Sequence, residues 1–300
     1  MGIFEGSMVA LVTPFKATGG LKPAIDEERL RELVEWQIAE GTDVIVPCGT
    51  TGESATLDYE EHDRVIRIVV EQARKRVPVL AGTGSNATVE AIEITRRAKE
   101  SGADGSLQVT PYYNKPTQEG LFQHFKAIAE APGLENLPIV LYNVPGRTSV
   151  NMLPETVARL VKIANIVGIK EASGNLEQVK KVIDLCGPKF GVLSGEDAQN
   201  LEILEMGGVG TISVTCNVVP GRLAKMWDDF AAGRFREARE IHQALQPLHA
   251  SMFFETNPIP VKTALGFLGR CSSAVRLPLC AMSEANAQKL KKVLQETKVL

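Results

Sequence analysis

A lysine that ends an apolar run is the residue of this sequence best suited to covalent chemistry. Residues 166–169 read Ile-Val-Gly-Ile and lead directly into Lys170. An amine buried at such a position loses hydration, which favours its neutral form. A neutral amine is the nucleophile that forms a Schiff base with a carbonyl compound. The pattern therefore indicates carbonyl chemistry at Lys170, and the structural alternative is a lysine whose charged end extends into water.

A tyrosine and an arginine follow another apolar run. Residues 139–141 lead into Tyr142, and Arg147 stands after a Pro-Gly pair. A phenol beside a reactive lysine can transfer protons, although a packed ring with a satisfied hydroxyl is the commoner role of a tyrosine. A guanidinium in a loop can bind a substrate carboxylate through two hydrogen bonds. An exposed arginine without such a role is equally compatible with this position.

A glycine-containing loop offers hydrogen-bond donors. Residues 48–53 read Cys-Gly-Thr-Thr-Gly-Glu. Gly49 and Gly52 let the backbone turn tightly and bring N–H groups towards a ligand. Thr50 and Thr51 add two hydroxyl groups. The loop suits a small carboxylate, but the motif is common and is weak evidence when taken alone.

Two adjacent tyrosines, Tyr112 and Tyr113, lie in a loop between two prolines. Because neighbouring side chains point in different directions, one ring can face the site while the other meets a partner subunit. The structural alternative is packing within the loop, around Pro111 and Pro116.

Other patterns argue against metal, nucleotide and disulfide chemistry. Residues 82–87 are similar to a dinucleotide-binding turn, but they fall in the third strand–helix unit rather than the first. The five cysteines are odd in number and form no Cys-x-x-Cys pair, which argues against a disulfide framework and favours a reducing compartment. The histidines lack metal-site spacing, so we expect packing or solvated roles and no metal. They are His62, His124, His242 and His249.

Four carboxylates fall near predicted strand ends, and we expect them to form ion pairs or to cap backbone groups. They are Glu53, Glu171, Glu196 and Asp197.

Short apolar runs alternate with amphipathic segments through the first three quarters of the chain. Continuous apolar runs are typical of parallel strands that are covered on both faces. Eight such strands alternating with helices predict an α/β fold, a closed (β/α)8 TIM barrel, whose active groups lie at the carboxyl ends of the strands. The predicted strands are 8–12, 44–47, 79–82, 106–110, 139–143, 166–170, 191–194 and 211–215.

The strand signal stops near residue 223, and the remainder reads as helices. We therefore expect a barrel with the active site over residues 1–223 and a small C-terminal helical extension over 224–300, packed on the barrel.

Composition excludes several classes of protein. The 300 residues are 44% apolar and 23% charged, which is ordinary globular usage. The net charge of -3 predicts neither nucleic-acid nor anionic-membrane partners. We find neither a secretory signal nor an apolar stretch long enough to span a bilayer, so a cytoplasmic location is expected.

Taken together, the motifs resemble the dihydrodipicolinate synthase family, within the pyruvate-dependent Schiff-base lyases. Their joint order along nearly the whole chain is more specific than any single motif. The matching segments are GTTGESATL at 49–57, AGTGSNATVEAI at 81–92, VTPYYNKP at 109–116, LYNVPGRT at 141–148, GIKEASGNL at 168–176, LSGED at 193–197, ISVT at 212–215 and NPIPVK at 257–262.

The resemblance implies condensation of pyruvate with L-aspartate 4-semialdehyde to 4-hydroxy-tetrahydrodipicolinate, the entry step of lysine and diaminopimelate biosynthesis. It implies no cofactor, because pyruvate is bound covalently. It also implies a homo-oligomer, a tetramer arranged as a dimer of dimers.

The resemblance also carries residue roles to matching positions. Lys170 matches the Schiff-base lysine and Tyr142 the proton donor and acceptor. Thr50 matches a partner in the proton relay, and so does Tyr113, which in this family reaches a neighbouring subunit's site. The positions that match substrate contacts are Thr51 and Ile212 for pyruvate, with the Gly195 carbonyl nearby, and Arg147 for the semialdehyde carboxylate.

Many members of the family are inhibited by L-lysine in a cleft between two subunits. Tyr59 departs from the histidine of some inhibited members, so lysine sensitivity is a hypothesis. The matching positions are Ser54, Ala55, Tyr59, His62, Asn86, Glu90 and Tyr112.

Two alternatives remain open at this stage. A lyase of the same superfamily that cleaves a sialic acid or a keto-deoxy sugar acid would share Lys170 and Tyr142, whereas Arg147 and the paired tyrosines argue for the synthase. A non-catalytic barrel that binds a small carboxylate would have no need of the lysine, the phenol and the guanidinium together.

Overall fold

Eight short parallel strands form the centre of the molecule in the computed structural model, which describes residues 2–17 and 20–300. Their residues are buried except for three that are partly exposed, because helices cover the sheet outside and side chains fill it inside. The strands are β1 (Gly6–Ala10), β2 (Val44–Val46), β3 (Leu80–Gly82), β4 (Gly105–Val109), β5 (Ile139–Asn143), β6 (Ile166–Glu171), β7 (Gly191–Ser194) and β8 (Gly210–Ser213).

The sheet closes on itself. Hydrogen-bonded neighbours follow the order β2-β1-β8-β7-β6-β5-β4-β3. A parallel bridge between Ile45 and Val79 then joins β2 to the residue just before β3. The predicted (β/α)8 barrel with a C-terminal helical region is therefore confirmed.

Helices follow the strands around the barrel and continue to the C-terminus. They are α1 (Glu27–Ala39), α2 (Tyr59–Ala73), α3 (Thr88–Glu100), α4 (Gln118–Ala129), α5 (Pro145–Thr148), α6 (Pro154–Leu160), α7 (Leu176–Cys186), α8 (Asn200–Glu205), α9 (Pro220–Ala231), α10 (Phe235–Ser251), α11 (Ile259–Phe267) and α12 (Glu284–Glu296). Side chains cap two of the helix starts, since Asp26 accepts a hydrogen bond from the Arg29 N–H, and Asp58 forms a capping box with Glu61.

Two strands end two residues earlier than their apolar runs predict. β1 stops at Ala10 rather than at residue 12, and β8 stops at Ser213 rather than at residue 215. Side-chain oxygens accept hydrogen bonds from backbone N–H groups that follow each strand, so these N–H groups do not bond to a neighbouring strand. Asn217 accepts from the Val12 N–H at 3.1 Å, and Asp197 accepts from the N–H groups of Val214 and Thr215, both at 2.9 Å.

The barrel interior is a packed core. Its buried apolar side chains come from seven of the eight strands, and the partly buried Val167 of β6 packs against them. A cavity lies at the carboxyl ends of the strands, where active sites of this fold are found. The buried members include Met8, Val44, Leu80, Leu107, Val140, Leu193 and Ile212.

The C-terminal helices share a hydrophobic core with the barrel. Leu248 of α10, Leu265 of α11 and Leu290 of α12 are fully buried in the same cluster as Val9 of β1. The predicted boundary between residues 223 and 224 falls inside α9, so this helix belongs to neither part alone. The division into a barrel and a helical extension remains a proposal.

Within residues 2–17 and 20–300, no helix has both the length and the apolar character needed to cross a bilayer.

Candidate active site

Lys170 and Tyr142 lie side by side at the mouth of the barrel. They are register partners on the neighbouring parallel strands β6 and β5, so their side chains share the interior face. Both are buried, at 6% and 7% exposure, and the Lys170 Nζ atom lies 4.4 Å from the centroid of the Tyr142 ring. A lysine that extends into bulk solvent, the structural alternative, is therefore wrong for this position.

A cavity of about 90 Å³ surrounds these two side chains. Of the eight residues predicted to act in catalysis or substrate binding, only Tyr113 is missing from its lining among the described residues. The predicted residues that line the cavity are Thr50, Thr51, Tyr142, Arg147, Lys170, Gly195 and Ile212. Geometry thus brings together four strand ends and the glycine-containing loop, which are far apart in the sequence.

Gly195 is needed beside the lysine because there is no room for a larger residue. A Cβ atom at this position would lie 2.9 Å from the Lys170 Cε atom and 2.6 Å from the Ala172 Cβ atom. The backbone of residue 195 therefore passes directly against the lysine stem.

Glu171, the neighbour of Lys170 in the sequence, takes part in a separate network on the other face of β6. Its carboxylate accepts hydrogen bonds from the Asn143 side chain, the Gln178 side chain and the Ser173 N–H. Burial raises the pKa of Glu171 in spite of these hydrogen bonds. Its predicted role in pairing or capping is met by backbone and amide donors, and it forms no ion pair with Lys170.

Asn257, a residue to which the sequence assigned no role, connects the two predicted carboxylate-binding groups. Its side-chain Nδ2 donates to the Thr51 hydroxyl at 3.0 Å, and its carbonyl accepts from the Arg147 guanidinium at 3.2 Å. The only sequence signal was its place at the start of the NPIPVK segment. Its contact with Thr51 spans 206 positions, which local patterns cannot reveal.

A buried ion pair anchors the glycine-containing loop. Glu53 adopts a left-handed backbone conformation with φ of 54°, and its carboxylate lies 2.6 Å from the Lys262 ammonium. Both side chains are at most 1% exposed. Lys262 also donates to the Thr13 carbonyl, and Arg276 donates its backbone N–H to Glu53. The expected pairing role of Glu53 is confirmed.

Glu196 and Asp197 occupy different environments. Asp197 is buried and is held by the backbone donors at the end of β8. Glu196 is half-buried and lines the cavity that contains Lys170. Burial and the neighbouring Asp197 charge raise the pKa of Glu196, whereas the Lys170 charge acts in the opposite direction.

Tyr113 does not line the active-site cavity of its own chain. It is 90% exposed and has a positive φ of 71° in the loop after β4. The structure therefore does not join Tyr113 to the other predicted catalytic residues, and its role in a neighbouring subunit stays a prediction.

A larger cleft of about 600 Å³ lies next to the active-site cavity and shares Thr50, Tyr142 and Arg147 with it. Six of the seven predicted lysine-site residues line this cleft, namely Ser54, Ala55, Tyr59, His62, Glu90 and Tyr112. Asn86, the seventh, instead donates to the Tyr112 carbonyl at 3.1 Å. Hydrogen bonds from the Ser85 and Tyr59 hydroxyls lower the pKa of Glu90.

The four histidines lie in the interior, and His62 also lines the larger cleft. All are buried, and each has one ring nitrogen in a hydrogen bond, for example His62 with the Gly82 carbonyl and His249 with the Thr215 hydroxyl, both at 2.9 Å. Among the residues that the structure describes, no group of three or more His, Cys, Asp or Glu side chains is arranged to hold a metal ion.

Comparison with known proteins identifies the family. The model of the dihydrodipicolinate synthetase family matches residues 3–297. The 4-hydroxy-tetrahydrodipicolinate synthase of Geotalea uraniireducens (strain Rf4) is 60% identical over 98% of this chain and 99% of its own length. That of Citrifermentans bemidjiense is 59% identical over 99% and 100%.

Solved structures agree with this result. The dihydrodipicolinate synthase of Aquifex aeolicus has a TM-score of 0.94 at 46% identity, covering 99% of both chains. The enzyme of Cyanidioschyzon merolae with lysine bound has a TM-score of 0.95 at 40% identity, covering 100% of both chains. A monomeric dihydrodipicolinate synthase variant has a TM-score of 0.95 at 41% identity, covering 99% of this chain and 98% of its own.

The barrel, the buried lysine and these relatives define the class, which is that of the pyruvate-dependent Schiff-base lyases. The chain belongs to the dihydrodipicolinate synthetase family.

Proposed function

We propose that this chain condenses pyruvate with L-aspartate 4-semialdehyde to 4-hydroxy-tetrahydrodipicolinate, with Lys170 as the residue that forms the Schiff base. The family's reaction is the entry step of lysine and diaminopimelate biosynthesis. The observation that carries the residue assignment is the position of Lys170, buried in a cavity beside the Tyr142 ring. Lys262, the second buried lysine among the described residues, is paired with Glu53 at 2.6 Å and lines neither the active-site cavity nor the larger cleft.

The chemistry balances without a cofactor. The Lys170 amine attacks the pyruvate carbonyl and expels water, and loss of a methyl proton turns the imine into an enamine. The enamine carbon then forms a bond with the aldehyde carbon of the second substrate. Finally, the amine of that substrate attacks the imine carbon and releases Lys170.

Tyr142 is the group that we assign to proton transfer in these steps. A phenol beside the reacting nitrogen can give up and take back a proton without a large movement of the site. Thr50 lines the same cavity and connects the phenol to a relay that Tyr113 of a neighbouring subunit completes.

The two carboxylates are assigned to different groups. Thr51, Ile212 and the Gly195 carbonyl surround pyruvate, and Arg147 binds the carboxylate of the semialdehyde through paired N–H donors. Asn257 supports both assignments, because it hydrogen bonds to the Thr51 hydroxyl with its side chain and to the Arg147 guanidinium with its carbonyl.

Product formation from the two substrates tests this proposal. Wild-type enzyme is expected to consume both, and Lys170→Arg to form no product because a guanidinium cannot form the imine. Lys162→Arg, at an exposed position, is the matched control and is expected to keep full activity. Product formation by Lys170→Arg at the wild-type rate would overturn the assignment.

The rival sugar-acid lyase is less well supported. The relatives from Geotalea uraniireducens and Citrifermentans bemidjiense, at 60% and 59% identity, are named as synthases, and Arg147 lines the cavity where the semialdehyde carboxylate would bind. Cleavage of a sialic acid or a keto-deoxy sugar acid, without condensation of aspartate semialdehyde, would favour the rival.

We also propose a homo-oligomer, a tetramer built as a dimer of dimers, in which Tyr113 serves the neighbouring site. The exposure of Tyr113 supports this proposal, because the residue lines neither the active-site cavity nor the larger cleft of its own chain. That a related enzyme is described as a monomeric variant fits a family in which oligomers are the rule.

L-Lysine is the inhibitor that we propose for the larger cleft. The Glu90 carboxylate is the group that we assign to the ammonium of the bound L-lysine, and Tyr142 and Arg147 line the same cleft. Millimolar lysine is expected to inhibit wild-type enzyme, and Glu90→Gln is expected to need about tenfold more lysine, since a charged hydrogen bond is lost. Glu93→Gln, on the same helix but outside the cleft, is the control. Unchanged activity of wild-type enzyme in lysine would reject the proposal.

A further inference from the structure

The second substrate carries an ammonium group for which the site described so far has no partner. Arg147 binds the carboxylate of this substrate, and the enamine formed on Lys170 reacts with its aldehyde. Ring closure requires that this ammonium first lose a proton, because only a neutral amine can attack the imine carbon. The acceptor must lie close to Lys170, where the new carbon–nitrogen bond forms.

Glu196 is the carboxylate that meets this requirement. It lines the cavity with Lys170, Tyr142 and Arg147, and it follows Gly195, whose backbone passes against the Lys170 stem. The Ser194 hydroxyl fixes its backbone, accepting from the Glu196 N–H at 3.2 Å and donating to the Glu196 carbonyl at 2.9 Å. The Glu196 side chain therefore lines the cavity from a backbone segment that hydrogen bonds to Ser194 fix in place.

The other carboxylates at the strand ends are already engaged. Glu53 pairs with a buried lysine, Glu171 accepts from amide and backbone donors, and Asp197 holds the end of β8. Within the described part of the chain, no lysine, arginine or histidine lies within ion-pair distance of Glu196. Its half-buried setting raises its pKa, which makes it a better proton acceptor than an exposed carboxylate.

We propose that Glu196 binds the ammonium of L-aspartate 4-semialdehyde and accepts the proton that this group loses before ring closure. This inference rests on the proposed function. One proton passes from the ammonium nitrogen to a Glu196 oxygen, the neutral amine attacks the imine carbon, and the Lys170 nitrogen leaves with a proton that Glu196 or Tyr142 returns.

An aldehyde acid without the amine provides the decisive probe. Succinate semialdehyde can still form the carbon–carbon bond, but it cannot close the ring, so its adduct stays on Lys170 and can be trapped with borohydride and weighed. We expect Glu196→Gln to lower kcat/KM for aspartate semialdehyde about 10- to 100-fold, as for a lost charged hydrogen bond. Pyruvate trapping and the rate of the succinate semialdehyde adduct are expected to stay within about twofold of wild type.

Two further variants sharpen the test. Glu196→Asp keeps the carboxylate and is expected to recover most of the loss for aspartate semialdehyde. Glu177→Gln removes the same charge from an exposed position on α7 and is expected to behave as wild type.

The inference is overturned if Glu196→Gln retains its kcat/KM for aspartate semialdehyde. It is overturned equally if this variant loses activity towards aspartate semialdehyde and succinate semialdehyde to the same extent. It is also overturned if this variant no longer traps pyruvate, since Glu196 would then act on Lys170. Absence of pyruvate trapping in wild-type enzyme would instead refute the proposed function itself.

Discussion

At the residue scale, the site depends on how closely a few side chains pack around one amine. Lys170 and Tyr142 are predictable from the sequence because each ends an apolar strand, and strand ends of a barrel converge. Asn257 and the orientation of Glu196 are not predictable in this way. Their roles arise from contacts with residues on other elements, for which neither spacing nor residue type is a signal.

The contact between Gly195 and Lys170 gives a test at this scale. Gly195→Ala would place a methyl group 2.9 Å from the Lys170 Cε atom and 3.0 Å from the Glu171 carbonyl, so the lysine must move. We expect product formation to fall about 10- to 100-fold, as for a displaced catalytic group. Gly146→Ala is the control, since no atom lies within 4 Å of its added methyl group. Equal activity of the two variants would show that Lys170 is not confined by residue 195.

At the scale of elements, the loop with Thr50 and Thr51 is fixed by contacts with parts of the chain that are distant in the sequence. The Thr13 hydroxyl donates to the Gly52 carbonyl at 2.7 Å, and Lys262 of α11 binds Glu53. The C-terminal helices therefore position the substrate loop as well as covering the barrel. The sequence predicted these helices and a pairing role for Glu53, but Lys262 lies 209 positions away and could not be chosen from the pattern.

Removing one member of the buried pair should be costly. Lys262→Met leaves the Glu53 charge buried without its ammonium partner, and we expect a loss of about 3–5 kcal/mol in the free energy of unfolding. Chemical denaturation followed by circular dichroism measures this change. Arg239→Met, which breaks an exposed pair with Glu205, is the control and is expected to cost at most about 1 kcal/mol. A Lys262→Met protein as stable as wild type would contradict this view of the loop.

At the scale of the whole molecule, the position of Tyr113 bears on the proposed assembly. Tyr113 is exposed in its own chain, whereas the other predicted catalytic residues share one cavity. The barrel and the order of its elements were predictable because short apolar runs alternate with amphipathic segments along the chain. The limits of β1 and β8 were not, because the polar side chains of Asn217 and Asp197 end these strands.

Mixed oligomers test whether Tyr113 acts between subunits. Lys170→Ala and Tyr113→Phe chains, each inactive or nearly so, are co-expressed with different tags and purified together. A Tyr113→Phe subunit keeps Lys170 and receives Tyr113 from its partner, so roughly a quarter of wild-type activity is expected for random pairing. No gain over the separate variants would contradict the assignment, because a tyrosine acting within its own chain cannot be restored by a partner.

Peptide mapping shows whether pyruvate becomes bonded to Lys170. The enzyme is incubated with pyruvate, reduced with borohydride and digested, and the modified peptide is identified by mass spectrometry. We expect one reduced pyruvate adduct, on Lys170, and none on the buried and ion-paired Lys262. An adduct on Lys262 instead, or wild-type protein that carries none while converting both substrates, would contradict it.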